Sequence, residues 1–148
     1  MKKHMVSATL EDYLETILTL DREKGAARVR DIAENLSVHK STVSAMLKSL
    51  GEKGLISHAP YQVAQLTAEG RRIAEQVASD HSAIKTFLQD VLLLGDATAA
   101  ENACRMEHVL DRRVVRRLTQ FARFAQAGQS GDWLQHFSDF LAEESGQP

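Results

Sequence analysis

Residues 29–67 read "VRDIAENLSVHKSTVSAMLKSLGEKGLISHAPYQVAQLT", and the way this stretch folds decides the architecture. Its opening places Val29, Ile32, Ala33 and Leu36 at helical spacing before "SVH" interrupts the pattern. The spacing resumes over residues 40–54, "KSTVSAMLKSLGEKG", with Val43, Met46, Leu47 and Leu50 on one stripe and Gly54 as the stop. Two short runs follow, Leu55–His58 and Val63–Thr67, around "APYQ", which predicts a small β-hairpin. Upstream, residues 9–24, "TLEDYLETILTLDREK", form an amphipathic helix with Leu10, Leu14, Ile17 and Leu18 on one side. Thr9 is its expected cap and Gly25 its end. Helix, short helix, three-residue turn, helix, hairpin is the order of a winged helix-turn-helix.

That order carries a chemistry. The second helix of such a pair enters the major groove and offers its N-terminal residues to base edges. Here those residues are His39, Lys40, Ser41, Thr42 and Ser44, while Val43, Met46 and Leu47 face inwards. Hydroxyls bond phosphates or either base-pair type, and Lys40 and Lys48 add charge near the backbone. Tyr61 and Gln62 fall at the wing tip, suited to backbone or minor-groove contact. Three helices and a hairpin also make protein-interaction modules. The hydroxyls that continue past the cap onto the outward face favour double-stranded DNA.

The rest of the chain is helical. Thr67 caps a helix that nothing breaks before Leu94, and Asp96 or Thr98 caps the next, which contains Cys104. Asp111 opens "DRRVVRRLTQFARFAQ", ending near Gly128, and Asp132 opens "DWLQHFSDFLAEE". In that last helix Trp133, Leu134, Phe137, Phe140 and Leu141 share a face too apolar to stand free, so it is expected to pack on the second domain.

Bulk properties narrow the function classes. The 148 residues suit one domain or two small ones, with no apolar run of membrane-spanning length and no secretory h-region at the N-terminus. A single cysteine permits no internal disulfide, which points to a reducing cytoplasm. The net charge is −2; residues 1–75 hold 11 Lys+Arg and 10 Asp+Glu, and residues 76–148 hold 7 and 10. Any binding to nucleic acid therefore rests on a local patch.

A second constellation lies in "ENACRMEHVL", residues 101–110, where Cys104, Glu107 and His108 fall at i, i+3 and i+4 on one helical face. Asp12 and Glu15 repeat the i, i+3 spacing on the first helix, and His81 lies on the long helix. Each has an ordinary alternative: an acid in a first helical turn, a surface histidine, a small buried thiol. Together they are six candidate metal ligands.

Taken in order, "LEDYLETILTL", "VRDIAENLSVHKSTVSAMLKSLGEKGLI", "YQVAQLTAEGRRIAEQV", "DHSAIKTFLQDVL" and "ENACRMEHVLD" resemble the diphtheria-toxin-repressor/manganese-transport-regulator family over about residues 8–118. The resemblance implies a mainly α fold. It has a winged helix-turn-helix DNA-binding domain at residues 1–75 and an α-helical metal-binding and dimerization domain at 76–148, without the SH3-like domain of longer relatives. It implies a cytoplasmic homodimeric repressor that Fe²⁺ or Mn²⁺ activates to bind a palindromic operator and shut off metal uptake, with no membrane and no small organic substrate as partner.

The implied ligand set is a hybrid of two branches. Asp12 and Glu15 match the manganese branch, since the iron branch has methionine at the place of Asp12. His81, Glu107 and His108 match both, and Cys104 matches the iron branch. Lys85 and Ala100 stand where the iron branch's ancillary site has a glutamate and a histidine, so that site is expected to be absent. Carboxylates suit Mn²⁺ and a thiolate shifts preference towards Fe²⁺, which leans the expectation to Fe²⁺ and leaves one or two ions per subunit open. Two other classes remain: a winged-helix regulator triggered by an organic ligand or by thiol oxidation, and a metallohydrolase with Glu107 as base. The second lacks a catalytic motif beside the ligands.

Overall fold

The computed structural model describes residues 6–59, 63–127 and 132–145, in two compact units, residues 1–78 and 79–148. The first is built on helix α1, Ala8–Lys24. Leu10, Tyr13, Leu14, Ile17, Leu18 and Leu20 are all buried on it, so this helix is the wall against which the rest of the unit packs. Its cap is Ser7, whose hydroxyl accepts from the Leu10 N–H at 3.4 Å, in place of the expected Thr9; the helix simply starts one turn earlier. Gly25, at φ 72°, ends it as expected.

Strand β1, Ala27–Arg28, leads into α2, Val29–Leu36, and α3 follows at Lys40–Glu52. Between them Ser37 takes φ 54°, a left-handed conformation that turns the chain without a glycine. Strands β2, Ile56–Ala59, and β3, Val63–Leu66, make the expected antiparallel hairpin. The sheet order is β1-β3-β2, with Ala27 opposite Ala64. A two-residue strand such as β1 carries no readable periodicity. Ile32, Val43, Leu47, Leu50, Ile56 and Ile73 join α1 in one core, each contributing roughly 1.5–3 kcal/mol by leaving water.

Helix α4, Ala68–Asp90, starts in the first unit and ends in the second. Thr67 caps it as expected, its hydroxyl accepting from the Gly70 N–H at 3.1 Å, and the Thr67 N–H reaches the Leu55 carbonyl at 3.0 Å. The helix stops four residues short of Leu94 because Leu93 adopts φ 56° and the Leu94 N–H closes on the Leu88 carbonyl. An apolar residue rarely takes that conformation, so no sequence signal marks this end.

The second unit continues with α5, Asp96–Met106, α6, Arg112–Gln126, and α7, Trp133–Ser145. Ala99 and Ala103, both fully buried, bring α5 close to Ile84 and Leu88 of α4, with Val115 of α6 completing the cluster. Val91, Ala122 and Ala125 form a second cluster that Phe87, Trp133 and Leu134 flank. Asp111 caps α6 as expected, accepting from the Arg113 N–H at 2.8 Å. The cap of α5 is Gly95 rather than Asp96 or Thr98, because the Asp96 carboxylate is engaged by α4 instead. None of the described helices is long and apolar enough to cross a membrane.

Gly70 lies where α4 passes over the hairpin's first strand, and a Cβ there would overlap the Leu55 carbonyl oxygen. Gly70→Ala is expected to force α4 and β2 apart and to cost about 1–3 kcal/mol, the usual range for overpacking. A urea titration of the full chain checks this.

Candidate metal centre

Helix packing sets the geometry of the second unit's polar cluster. The alanine contact fixes the register of α5 along α4. Lys85 and Gln89 of α4 hold Asp96 at 2.7 Å and 3.0 Å, which pins the beginning of α5. At its other end, Cys104 sits in the last helical turn, Glu107 is the C-cap and His108 follows. Glu107 keeps helical geometry, with its N–H on the Ala103 carbonyl at 3.0 Å. The predicted i, i+3, i+4 face therefore persists just past the helix end.

The Glu107 side chain has 0% exposure and stands between two imidazoles: its Oε2 is 2.7 Å from His81 Nδ1, and its Oε1 is 3.4 Å from His108 Nε2. Donor atoms of Cys104, Glu107 and His108 lie within 4.8 Å of one another, as do those of His81 and Glu107. Cys104 is exposed, which removes the reading of its thiol as core filler.

A carboxylate beside an imidazole favours the charged ring, yet His81 is held below the ordinary histidine pKa. Removal from water is the larger cause; the positive charges of Lys85 and His108 add to it. Neutral His81 donates its Nδ1 hydrogen to Glu107 and keeps a lone pair on Nε2. Nitrogen, carboxylate oxygen and sulfur gathered around one buried anionic group suit a divalent first-row metal, and binding would displace the proton between Nδ1 and Oε2.

The other two candidate ligands, Asp12 and Glu15, belong to the first unit, one turn apart and half-buried on α1. On the DNA side, His39, Lys40, Ser41, Thr42, Ser44 and Lys48 are exposed around α3, while Val43 and Leu47 are buried and Met46 packs at the core's margin. Ser44 donates its hydroxyl hydrogen to the Lys40 carbonyl at 3.0 Å, so towards DNA it is left mainly an acceptor. Tyr61 and Gln62 lie outside the described residues.

Two contributors were missed from sequence. Arg30 lines the same concave surface as Val38, His39, Lys40 and Ser41, presenting a guanidinium from α2. The signal was available, because the first helix of this motif crosses the DNA backbone. Lys85 had been read only as a departure from a ligand pattern; its pairing with Asp96 across 11 residues has no local periodicity to betray it.

A winged helix-turn-helix joined to a helical unit with clustered imidazole, carboxylate and thiol donors is the make-up of a metal-dependent transcriptional regulator. The family profile "Iron dependent repressor, N-terminal DNA binding domain" matches residues 5–64, and "Iron dependent repressor, metal binding and dimerisation domain" matches residues 67–132. The chain belongs to this family, whose members include the manganese regulators called MntR. It is 35% identical to the HTH-type transcriptional regulator MntR of Geobacillus kaustophilus over 126 residues, 82% of this chain and 86% of that one. It is 34% identical to an uncharacterized HTH-type transcriptional regulator of Methanocaldococcus jannaschii over 117 residues, 78% of this chain and 94% of the relative. A solved manganese-dependent transcriptional repressor in complex with manganese superposes with a TM-score of 0.71 at 28% identity, over 78% of this chain; the matched part is 53% of that chain's length.

The lowered pKa of His81 sets a sign for acid stability. Protonation is harder in the folded protein than in the unfolded one. The stabilisation from neutral His81 is therefore complete above the ordinary value of 6.5 and is lost as pH falls from there through the lowered folded value. In metal-free protein, His81→Gln is expected to flatten that part of the acid limb. Urea midpoints measured on both sides of pH 6.5 for the two proteins check it.

Proposed function

We propose that this chain is a cytoplasmic, metal-activated repressor that binds a palindromic operator as a homodimer when Fe²⁺ or Mn²⁺ is in excess, controlling metal uptake. The observation that carries the reading is the buried Glu107 carboxylate bracketed by His81 and His108, with the Cys104 thiol beside it. We infer that these four residues hold a divalent ion together with Asp12 and Glu15. The ion would supply positive charge that offsets the carboxylates, and the division of ligands between α1 and the second unit would make its binding sensitive to how the two are arranged.

The residues' own parts follow. Lys85, through Asp96, keeps α5 in register so that Glu107 meets His81. His81 remains neutral and ligand-competent. On the DNA-binding unit, Arg30 and Lys40 offer cations to phosphates, and Thr42 and Ser41 offer hydroxyls to bases. A two-fold dimer must set its two α3 helices about 34 Å apart to read a palindrome. A ligand that favours that spacing strengthens DNA binding, and DNA must strengthen its binding in return.

Binding of operator fragments measured by fluorescence anisotropy, with free Fe²⁺, Mn²⁺ and Zn²⁺ buffered anaerobically, tests the reading. Affinity is expected to rise with Fe²⁺ or Mn²⁺ and to fall to the non-specific level with chelator; equal affinity in chelator would refute it.

Cys104 decides between the two metals. The exposed position tolerates a carboxylate, so Cys104→Glu is expected to fold and to move the response from Fe²⁺ towards Mn²⁺, because the thiolate favours the softer ion. Melting curves and two metal titrations on each protein provide the readout. A stable variant with the original preference would take Cys104 out of the ligand set.

A further inference from the structure

Helices α6 and α7 carry opposite charge on surfaces that nothing in the described chain covers. The 15 residues of α6 include Arg112, Arg113, Arg116, Arg117 and Arg123 and no acid; α7 has Asp139, Glu143 and Glu144 and no lysine or arginine. Four arginines in the first turns of α6 stand at the positive end of its dipole and repel one another at i, i+4. Local partners do little to relieve this: Arg113 meets only Asp111, at 3.2 Å, and Arg117 meets Gln120 at 3.4 Å. Among the described residues Arg112 and Arg116 form no ion pair, and no arginine of α6 is paired with an acid of α7.

Apolar side chains accompany the charges. Val114, Phe121 and Phe124 are 43%, 45% and 50% exposed. With Arg117 they fall at spacings of three and four along one outward stripe of α6. On α7, Phe140 is 52% exposed, and Glu143 and Glu144 follow it at i+3 and i+4. No α7 residue is fully buried; only its first turn, Trp133 and Leu134, reaches the neighbouring core cluster. A 13-residue helix held by one turn is marginal by itself, so the remaining turns need a surface.

We propose that this surface is α6 of a second copy. Phe140 of one subunit lies against Val114 and Phe121 of the other, with Glu143 and Glu144 facing Arg113 and Arg117, and the two-fold axis repeats the contact. Two complementary patches on one chain are what an isologous dimer requires, and the unit that bears them is this family's dimerisation domain. A polyanion such as DNA would satisfy the arginines but leave three apolar side chains on α6 and one on α7 in water. The family profile stops at residue 132, so the contact involving α7 lies beyond what family membership assigns. It depends on neither the metal ligands nor operator binding.

The test uses two full-length double variants, R113E/R117E and E143R/E144R, whose self-association is measured by sedimentation in chelator without DNA. All four positions are exposed, and glutamates at the start of α6 suit its dipole, so loss of the fold does not explain a loss of dimer. Each variant alone is expected to dissociate about tenfold or more weaker than wild type, from reversed pairs at both symmetric contacts. An equimolar mixture of the two is expected to regain wild-type association, because each contact in the mixed dimer again pairs opposite charges. Unchanged association of both variants would overturn the proposal. So would a mixture as weak as its components while the combined four-fold variant recovers, since that pattern marks a contact within one chain. Loss of DNA affinity by R113E/R117E with association unchanged would assign the arginines to a polyanion instead. Phe140→Ser, which changes no charge, is expected to weaken the dimer too.

Discussion

A carboxylate without exposed surface is tolerable only where something neutralises or bonds it. Glu107 is placed in that condition by the packing around it: Ala103, one turn earlier, is fully buried against α4, and the helix cannot turn to bring the acid outward without losing that contact. His81 has to meet Glu107 from α4, and His108 from the next turn. The centre is thus a consequence of apolar docking, and its stability follows from the alanine contact as much as from its own polar bonds. Substitution of the neighbouring alanines would reach the ligands through the backbone.

The same helix, α4, carries the constraint further. Its first turn is tied by Thr67 and Gly70 to the hairpin, and its second half presents His81, Lys85 and Gln89 to α5. Lys85 places a permanent cation one turn from His81, paired with Asp96. On the proposed reading this ammonium occupies ground where a further cation would otherwise be drawn by acids, which favours a single ion in the neighbouring cluster. It also helps to keep His81 neutral, the form in which imidazole donates an electron pair.

Much of this was legible in the sequence because it is local. The winged helix-turn-helix follows from apolar spacing over residues 9–67, and its elements were found where the pattern put them, apart from the two-residue β1. Helix ends were legible where a glycine or a capping hydroxyl marks them, as at Gly25, Thr67 and Asp111. They were not where a leucine takes a left-handed conformation, as at Leu93, or where a plausible cap has a longer-range partner, as at Asp96. The grouping of Cys104, Glu107 and His108 was read from i, i+3, i+4 spacing. The approach of His81 to Glu107 spans 26 residues and came from resemblance alone, because no rule of periodicity relates positions on different helices.

The thiol gives the centre a threshold that an all-carboxylate site lacks. A carboxylate is already ionised at neutral pH, whereas a cysteine thiol ordinarily titrates near 8.5, so presenting it as thiolate at pH 7 costs about 2 kcal/mol. An ion must recover that amount from its bond to sulfur before it gains anything over water. Harder ions such as Mn²⁺ bond sulfur weakly and recover less of it, while softer ions recover more. On the proposed reading, exchanging one acid for Cys104 therefore discriminates mainly by withholding affinity from the harder ion, and the discrimination should narrow as pH rises and the cost of the thiolate disappears.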